Sequence, residues 1–283
     1  MIAVNEEYQP LSGVRIGVGF EKNIGWGTDS SGQHGITSSD GRLTFSGQSN
    51  GHITYAGSKD GYYPSYYDYD FLELGTFGWK PWDPELKIIM RKIENQVPMY
   101  VKDVENSEIK IDIPVIGKDV GFDLIAYDWV NPYGNGKVSD VFFYLEKNFL
   151  SRENYNGKLT LKFNNNGDGI IFVKSDENNG STFKLPRFAP IDGYDKEIII
   201  ETGQTPNGHW VKGFNNTDNY IFRIRSEMDG GRLVSAMYGK ILGPIILEPR
   251  REPTRVYLKY YLNPDGTRNL EHAPEKNLFR SGP

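Results

Sequence analysis

The sequence predicts an all-β protein built as two β-sandwich domains. Three observations predict it. Apolar and polar residues alternate at every second position in many short runs, the signature of half-buried strands. Turn signals such as Asp40-Gly41, Asp60-Gly61 and Asn164 to Gly169 separate those runs at strand-length intervals. Apolar spacing of three and four is nowhere sustained over four turns, and Tyr144 to Arg152 is the one candidate for a short helix.

The first domain is expected over residues 1–80. After a turn at Pro10 to Gly13, Val14, Ile16, Val18 and Phe20 alternate with Arg15, Gly17 and Gly19, a first strand. Ile24 to Gly35 is dense in Gly, Ser and Asp and reads as a long exposed loop. Leu43 and Phe45 alternate with Arg42 and Thr44 in a second strand, and Ile53 and Tyr55 repeat the pattern. Phe71, Leu72 and Leu74 close the domain. Gly75 to Pro84 follows, in which Pro81 and Pro84 hold the residues before them extended, so the stretch reads as a stiff linker.

The second domain is expected over residues 81–283. Leu86, Ile88 and Met90 open it, alternating with Lys87 and Arg91. Ile109, Ile111 and Ile113 form another strand, and Val120, Phe122 and Leu124 a further one. Val138 to Leu145 reads as a strand buried on both faces. Leu159, Leu161 and Phe163 alternate with Lys158, Thr160 and Lys162, and the turn from Asn164 to Gly169 joins them to Ile170 to Val173 as a hairpin. Strands are expected at 197–201, 220–225, 234–240 and 255–262. Asn263 to Arg268 is a strong turn, and the tail beyond it carries Leu270, Leu278 and Phe279, which suit docking back on the body.

Several of these segments carry a resemblance. Pro10 to Val14, Ser39-Asp40-Gly41-Arg42-Leu43 and Lys59-Asp60-Gly61-Tyr62-Tyr63-Pro64-Ser65 together resemble a carboxypeptidase-regulatory-like, or transthyretin-like, domain over about residues 8–75. The resemblance implies a small β-sandwich attached to exported or surface proteins, with no catalytic residues of its own. Trp79 to Trp82, Pro98 to Tyr100, Asp128 to Gly134 and Asn263 to Glu271 resemble the second half of uncharacterised bacterial proteins that carry such a domain at the front. That likeness implies no activity.

Composition narrows the function classes. The 283 residues carry a net charge of −5, which argues against a nucleic-acid partner needing a concentrated basic surface. No apolar run approaches the roughly 20 residues of a membrane-spanning helix. Cysteine is absent, which excludes disulfides, thiol catalysis and cysteine-ligated metals. Met1 to Tyr8 has neither the basic nor the apolar region of a signal peptide.

The segment Phe122 to Asp140 is the richest in chemistry. Trp129 and Tyr133 would stack on the C–H faces of a pyranose while Asp128 and Asn131 take its hydroxyls; the competing role for Trp129 is a buried core residue beside an ordinary turn. Asp123, Asp128 and Asp140 are acids that would have to converge in space to hold a metal. Calcium would suit the oxygen-rich runs Asn164 to Asp168 and Asp176 to Asn179, although neither has calcium-loop spacing and both suit hairpin turns. The histidines His34, His52, His209 and His272 are scattered, and no Gly-x-Ser-x-Gly elbow occurs. Gly17-Val18-Gly19 lacks the third glycine and following helix of a dinucleotide fingerprint. No cofactor is expected. Arg250, Arg251 and Arg255 form the one basic cluster, which suits a solvated edge.

The expectation is a non-enzymatic surface or exported protein that presents loops and aromatic ledges to a glycan or an envelope protein. A structural subunit of an appendage, surface layer or virion is the first alternative. A glycoside hydrolase or peptidase with an ancillary β-domain is the second, and it requires two carboxylates in a cleft with one raised in pKa.

Overall fold

The computed structural model describes residues 1–75, 78–103, 109–175 and 179–280. Among them the chain is all-β, with one 3-10 turn at Leu278–Arg280 and no α-helix. It divides into two compact units, Met1–Glu94 with Asp176–Lys184, and Asn95–Ser175 with Leu185–Pro283.

In the first unit the strands are β1 Ile2–Val4, β2 Arg15–Ile24, β3 Gly27–Ile36, β4 His52–Ser58 and β5 Tyr62–Tyr63. They continue with β6 Ser65–Asp70, β7 Glu73–Gly75, β8 Gly78–Lys80, β9 Lys87–Ile89 and β10 Arg91–Lys92. Four of them form an antiparallel sheet in the order β3-β2-β4-β6. One face is apolar: Ile16, Val18 and Phe20 of β2 and Ile53 and Tyr55 of β4 are buried together with Val14. Each such side chain contributes about 2 kcal/mol by leaving water.

Leu86, Ile88 and Met90, expected to open the second domain, complete this first core instead. The reason is pairing: β1 and β9 run parallel, with Ala3 opposite Ile88, which draws residues beyond 80 into the first unit. The expected loop from Ile24 to Gly35 is also a strand, since β3 pairs with β2 from Arg15↔Ile36 to Ile24↔Gly27. Its side chains are exposed from Gly27 to His34, so no alternation marks it. Leu43 and Phe45 pack against the core from an irregular segment rather than a strand. Of the linker, Gly78–Lys80 pairs with Glu73–Gly75, while Thr76 and Phe77 lie outside the described residues. Leu72 and Leu74 face solvent.

The second unit opens with β11 Val97–Lys102, β12 Ile111–Asp112, β13 Asp119–Asp123, β14 Asp128–Trp129 and β15 Val141–Ser151. Next come β16 Asn154–Lys162, β17 Gly169–Lys174, β18 Glu197–Gln204, β19 Trp210–Lys212 and β20 Asp218–Asp229. The last five are β21 Arg232–Ile241, β22 Ile246–Glu248, β23 Arg255–Tyr257, β24 Tyr260–Asn263 and β25 His272–Asn277. Two six-stranded sheets result, β14-β13-β15-β16-β18-β19 and β17-β20-β21-β24-β11-β25, with a smaller sheet β12-β23-β22. Both large sheets feed one core: Phe143, Leu145, Leu159 and Leu161 from the first, Phe222, Ile224, Tyr260 and Leu262 from the second.

Three sequence expectations change here. Tyr144 to Arg152 is not helical; Val141, Phe143 and Leu145 point inward with period two and β15 pairs along its length with β16. That strand is half-buried rather than buried on both faces, since Phe142 and Tyr144 are partly exposed. The segments on either side of Asn164 to Gly169 are not a hairpin, because β16 pairs with β15 and β18 whereas β17 pairs with β20 in the other sheet. The tail does dock: Leu270 is fully buried and β25 pairs in parallel with β11.

Candidate functional site

The four residues expected to form a sugar ledge are divided between core and surface. Trp129 is 8% exposed, edge-on to Phe122 and Phe143 at 4.9 and 5.1 Å between ring centroids, and its indole N–H donates to the Asp112 carbonyl at 3.0 Å. Its ring offers no face to a ligand. Asp128 ties the loop to itself, accepting the amides of Trp129 and Asn135 at 2.8 Å each. The loop then closes tightly: a Cβ on Gly136 would lie 2.7 Å from the Asp128 carbonyl and 2.9 Å from Asp123 Cβ. Asn131 and Tyr133 remain on the surface.

Of the acids in that segment, Asp123 and Asp140 do converge, and they converge on Arg225. Arg225 Nε donates to Asp140 Oδ1 at 2.8 Å, and Nη2 donates to Asp140 Oδ2 and Asp123 Oδ1 at 3.0 Å each. Asp123 also accepts the amides of Ile125, Ala126, Lys137 and Val138. Burial alone would raise its pKa, yet the amides and the guanidinium together carry it below the ordinary carboxylate value. Asp140 goes the other way: burial outweighs Arg225 and the Leu124 amide, and its pKa is raised. Arg225 takes a left-handed backbone, φ 52°, where the ladder between β20 and β21 is bulged. Asp168, from the run weighed for calcium, is buried and accepts the amides of Arg225 and Ser226 at 3.0 and 2.8 Å.

This knot contains a carboxylate pair with one raised member, as a hydrolase reading requires. Its oxygens, however, are held by a guanidinium and backbone amides within the protein, so their chemistry is structural. Among the described residues no group of three or more His, Asp or Glu is placed to hold a metal ion. Of the other calcium run, Asp176, Glu177 and Asn178 lie outside the described residues, and Asn179 Oδ1 accepts the Ser181 amide at 3.0 Å.

An accessible constellation lies on the open face of the first unit's sheet. There the registers set Gly32, Gly19, Thr54 and Asp68 side by side in one row, and His34, Gly17, Ala56 and Tyr66 in the next. The small residues leave a trough of about 660 Å³ floored by strand backbone. Nothing lies within 4 Å of the position a Cβ on Gly17 would take. Glycine inside a strand weakens it, and commonly marks a place where another molecule comes close to the backbone. Tyr66 borders the trough at 62% exposure, and Thr54, Asp68 and His34 are exposed beside it. The neighbouring row adds His52, whose Nδ1 lies 2.6 Å from Asp70 Oδ1; that hydrogen bond raises the imidazole pKa.

No protein family, curated protein or solved structure matches this chain.

The trough therefore stands on its geometry. It offers an aromatic ring, a carboxylate, an imidazole and a hydroxyl around a floor that is open at Gly17, while the Thr54 hydroxyl lies over Gly19. Its sequence signal was present in Arg15-Ile16-Gly17-Val18-Gly19-Phe20, where the solvent-facing positions beyond Arg15 are both glycine. The partner strand β3, which supplies Gly32 and His34, carries no alternation that would reveal it.

Proposed function

We propose that this chain is a non-enzymatic binding protein of a cell surface or exported fraction, and that it holds carbohydrate on the open face of the first unit's sheet. The observation that carries this reading is the glycine-floored trough beside Tyr66 and Asp68. A sugar ring has an apolar C–H face and an equatorial rim of hydroxyls. Tyr66 suits the former, because the negative face of an aromatic ring attracts the positive C–H edge. Asp68, His34 and Thr54 suit the latter, and Gly17, with open space above it, lets the ring lie close to the strands. The likeness of residues 8–75 to a transthyretin-like β-sandwich of exported proteins supports the surface location. An envelope protein remains the alternative partner.

The test is retention of the purified chain on a panel of immobilised polysaccharides. Retention on at least one glycan, lost in Tyr66→Ala and in Gly17→Val, is expected. No retention on any glycan, or retention indifferent to both substitutions, overturns the reading.

A further inference from the structure

Strand β3 is an edge of the four-stranded sheet, and it lacks the devices that keep edges apart. Natural edge strands are kept short, bulged, or supplied with Lys or Pro. This one runs from Gly27 to Ile36 in unbroken register with β2, contains no Lys, Arg or Pro, and carries one acidic group, Asp29. At one end the hairpin closes on the pair Ile24↔Gly27; at the other, Thr37 N donates to Val14 O. Alternation between those ends leaves the N–H and C=O groups of Thr28, Ser30, Gly32 and His34 directed away from β2. Among the described residues no strand pairs with that side. Two exposed hydrophobic residues bracket the strand, Trp26 at 96% and Ile36 at 67%.

We propose that β3 pairs antiparallel with the β3 of a second copy of this chain, about a two-fold axis at Ser31. In that register Trp26, in the turn just before the strand, comes beside the partner's Ile36, and the symmetry repeats the contact at the other end. Asp29 faces the partner's Gln33, Ser30 faces the partner's Gly32, and Thr28 faces the partner's His34, so no like charges are opposed. The outward groups of both strands then satisfy one another in about eight hydrogen bonds. A slip of one residue would set outward groups against inward ones and separate the apolar ends. That reciprocity of Trp26 with Ile36 within one strand selects a second copy over an unrelated strand, since an isologous contact requires a self-complementary surface.

The pairing joins two four-stranded sheets into one of eight strands, roughly 35 Å across at the usual strand spacing. The two troughs then open onto a common face. On the carbohydrate reading above, on which this consequence alone rests, the favoured ligand is a chain long enough to engage both.

The chain has no cysteine, so Ser31→Cys introduces a single thiol. Residues facing each other across a non-hydrogen-bonded antiparallel pair stand with Cα atoms about 4.5 Å apart, within disulfide reach. Sedimentation equilibrium of the ligand-free protein is expected to give twice the chain mass at tens of micromolar. Ser31→Cys is expected to become a covalent dimer on mild oxidation while Ser39→Cys does not, and Ser30→Lys is expected to weaken the dimer at least tenfold while circular dichroism shows it folded. A monomer at every concentration overturns the proposal, as does a dimer that ignores Ser30→Lys or fails to cross-link at residue 31. No ligand enters these measurements, so their outcome is independent of the glycan test.

Discussion

Arg225 and Asp140 are 85 residues apart in sequence, and the arginine Nε lies 2.8 Å from the carboxylate Oδ1 in the second unit. The pair joins β20 to the residue just before β15, and Asp123 at the end of β13 shares the same guanidinium. Two strands of one large sheet are thus tied to a strand of the other.

Removing Arg225 would leave Asp140 buried with its charge uncompensated. Arg225→Met is expected to destabilise the protein by about 3 kcal/mol, the scale on which buried pairs fail when one partner is lost. Urea unfolding followed by circular dichroism measures it. A change under about 0.5 kcal/mol, the scale of an ordinary surface substitution, would show that the knot does not hold the sheets.

The two acids should act on different parts of the pH axis. Asp123 has a folded pKa below its ordinary 3.8, so its stabilising contribution is fully present above that value and is lost as pH falls through the folded one. Asp140 has a raised folded pKa; its ionisation opposes folding, and that penalty is relieved as pH falls through its folded value. Asp123→Asn is therefore expected to lower stability at neutral pH and to flatten the loss below 3.8. Urea midpoints from neutral to acid pH check this, and an unchanged acid limb contradicts it.

Two glycines on strands make opposite predictions. Gly17→Val meets open space and gains a residue that strands favour, so stability is expected to hold or to rise by about 0.5 kcal/mol while glycan retention is lost. A Cβ on Gly239 would enter the space of the buried Phe222 ring, so Gly239→Ala is expected to cost about 1–3 kcal/mol by overpacking. Thermal melts of the two variants separate the cases.

Trp129 provides a control. As a core residue its replacement by Ala is expected to cost about 3–5 kcal/mol, and the folded fraction should keep its affinity for any glycan the wild type retains. Melting curves and pull-downs at a temperature where the variant remains folded measure both. Lost affinity with unchanged stability would restore the ledge at residues 128–133.

The sequence alone determined the all-β class, and it did so through alternation. Ile16, Val18 and Phe20, or Leu159 and Leu161, report a buried face from positions two apart, because that periodicity is a local property of strand geometry. Where both faces are wet, as in β3, the local signal vanishes and only pairing with β2 makes a strand. Tertiary structure also decided that Ile88 and Met90 belong to the first core, that β17 joins the sheet of β20, and that Asp123 and Asp140 meet on Arg225. The glycines of β2 were legible in the chain, but the trough needed Thr54, Asp68 and Tyr66 brought beside them from β4 and β6. Which strands become neighbours is fixed by contacts between residues far apart in the chain, and a pattern that repeats every two residues does not encode them.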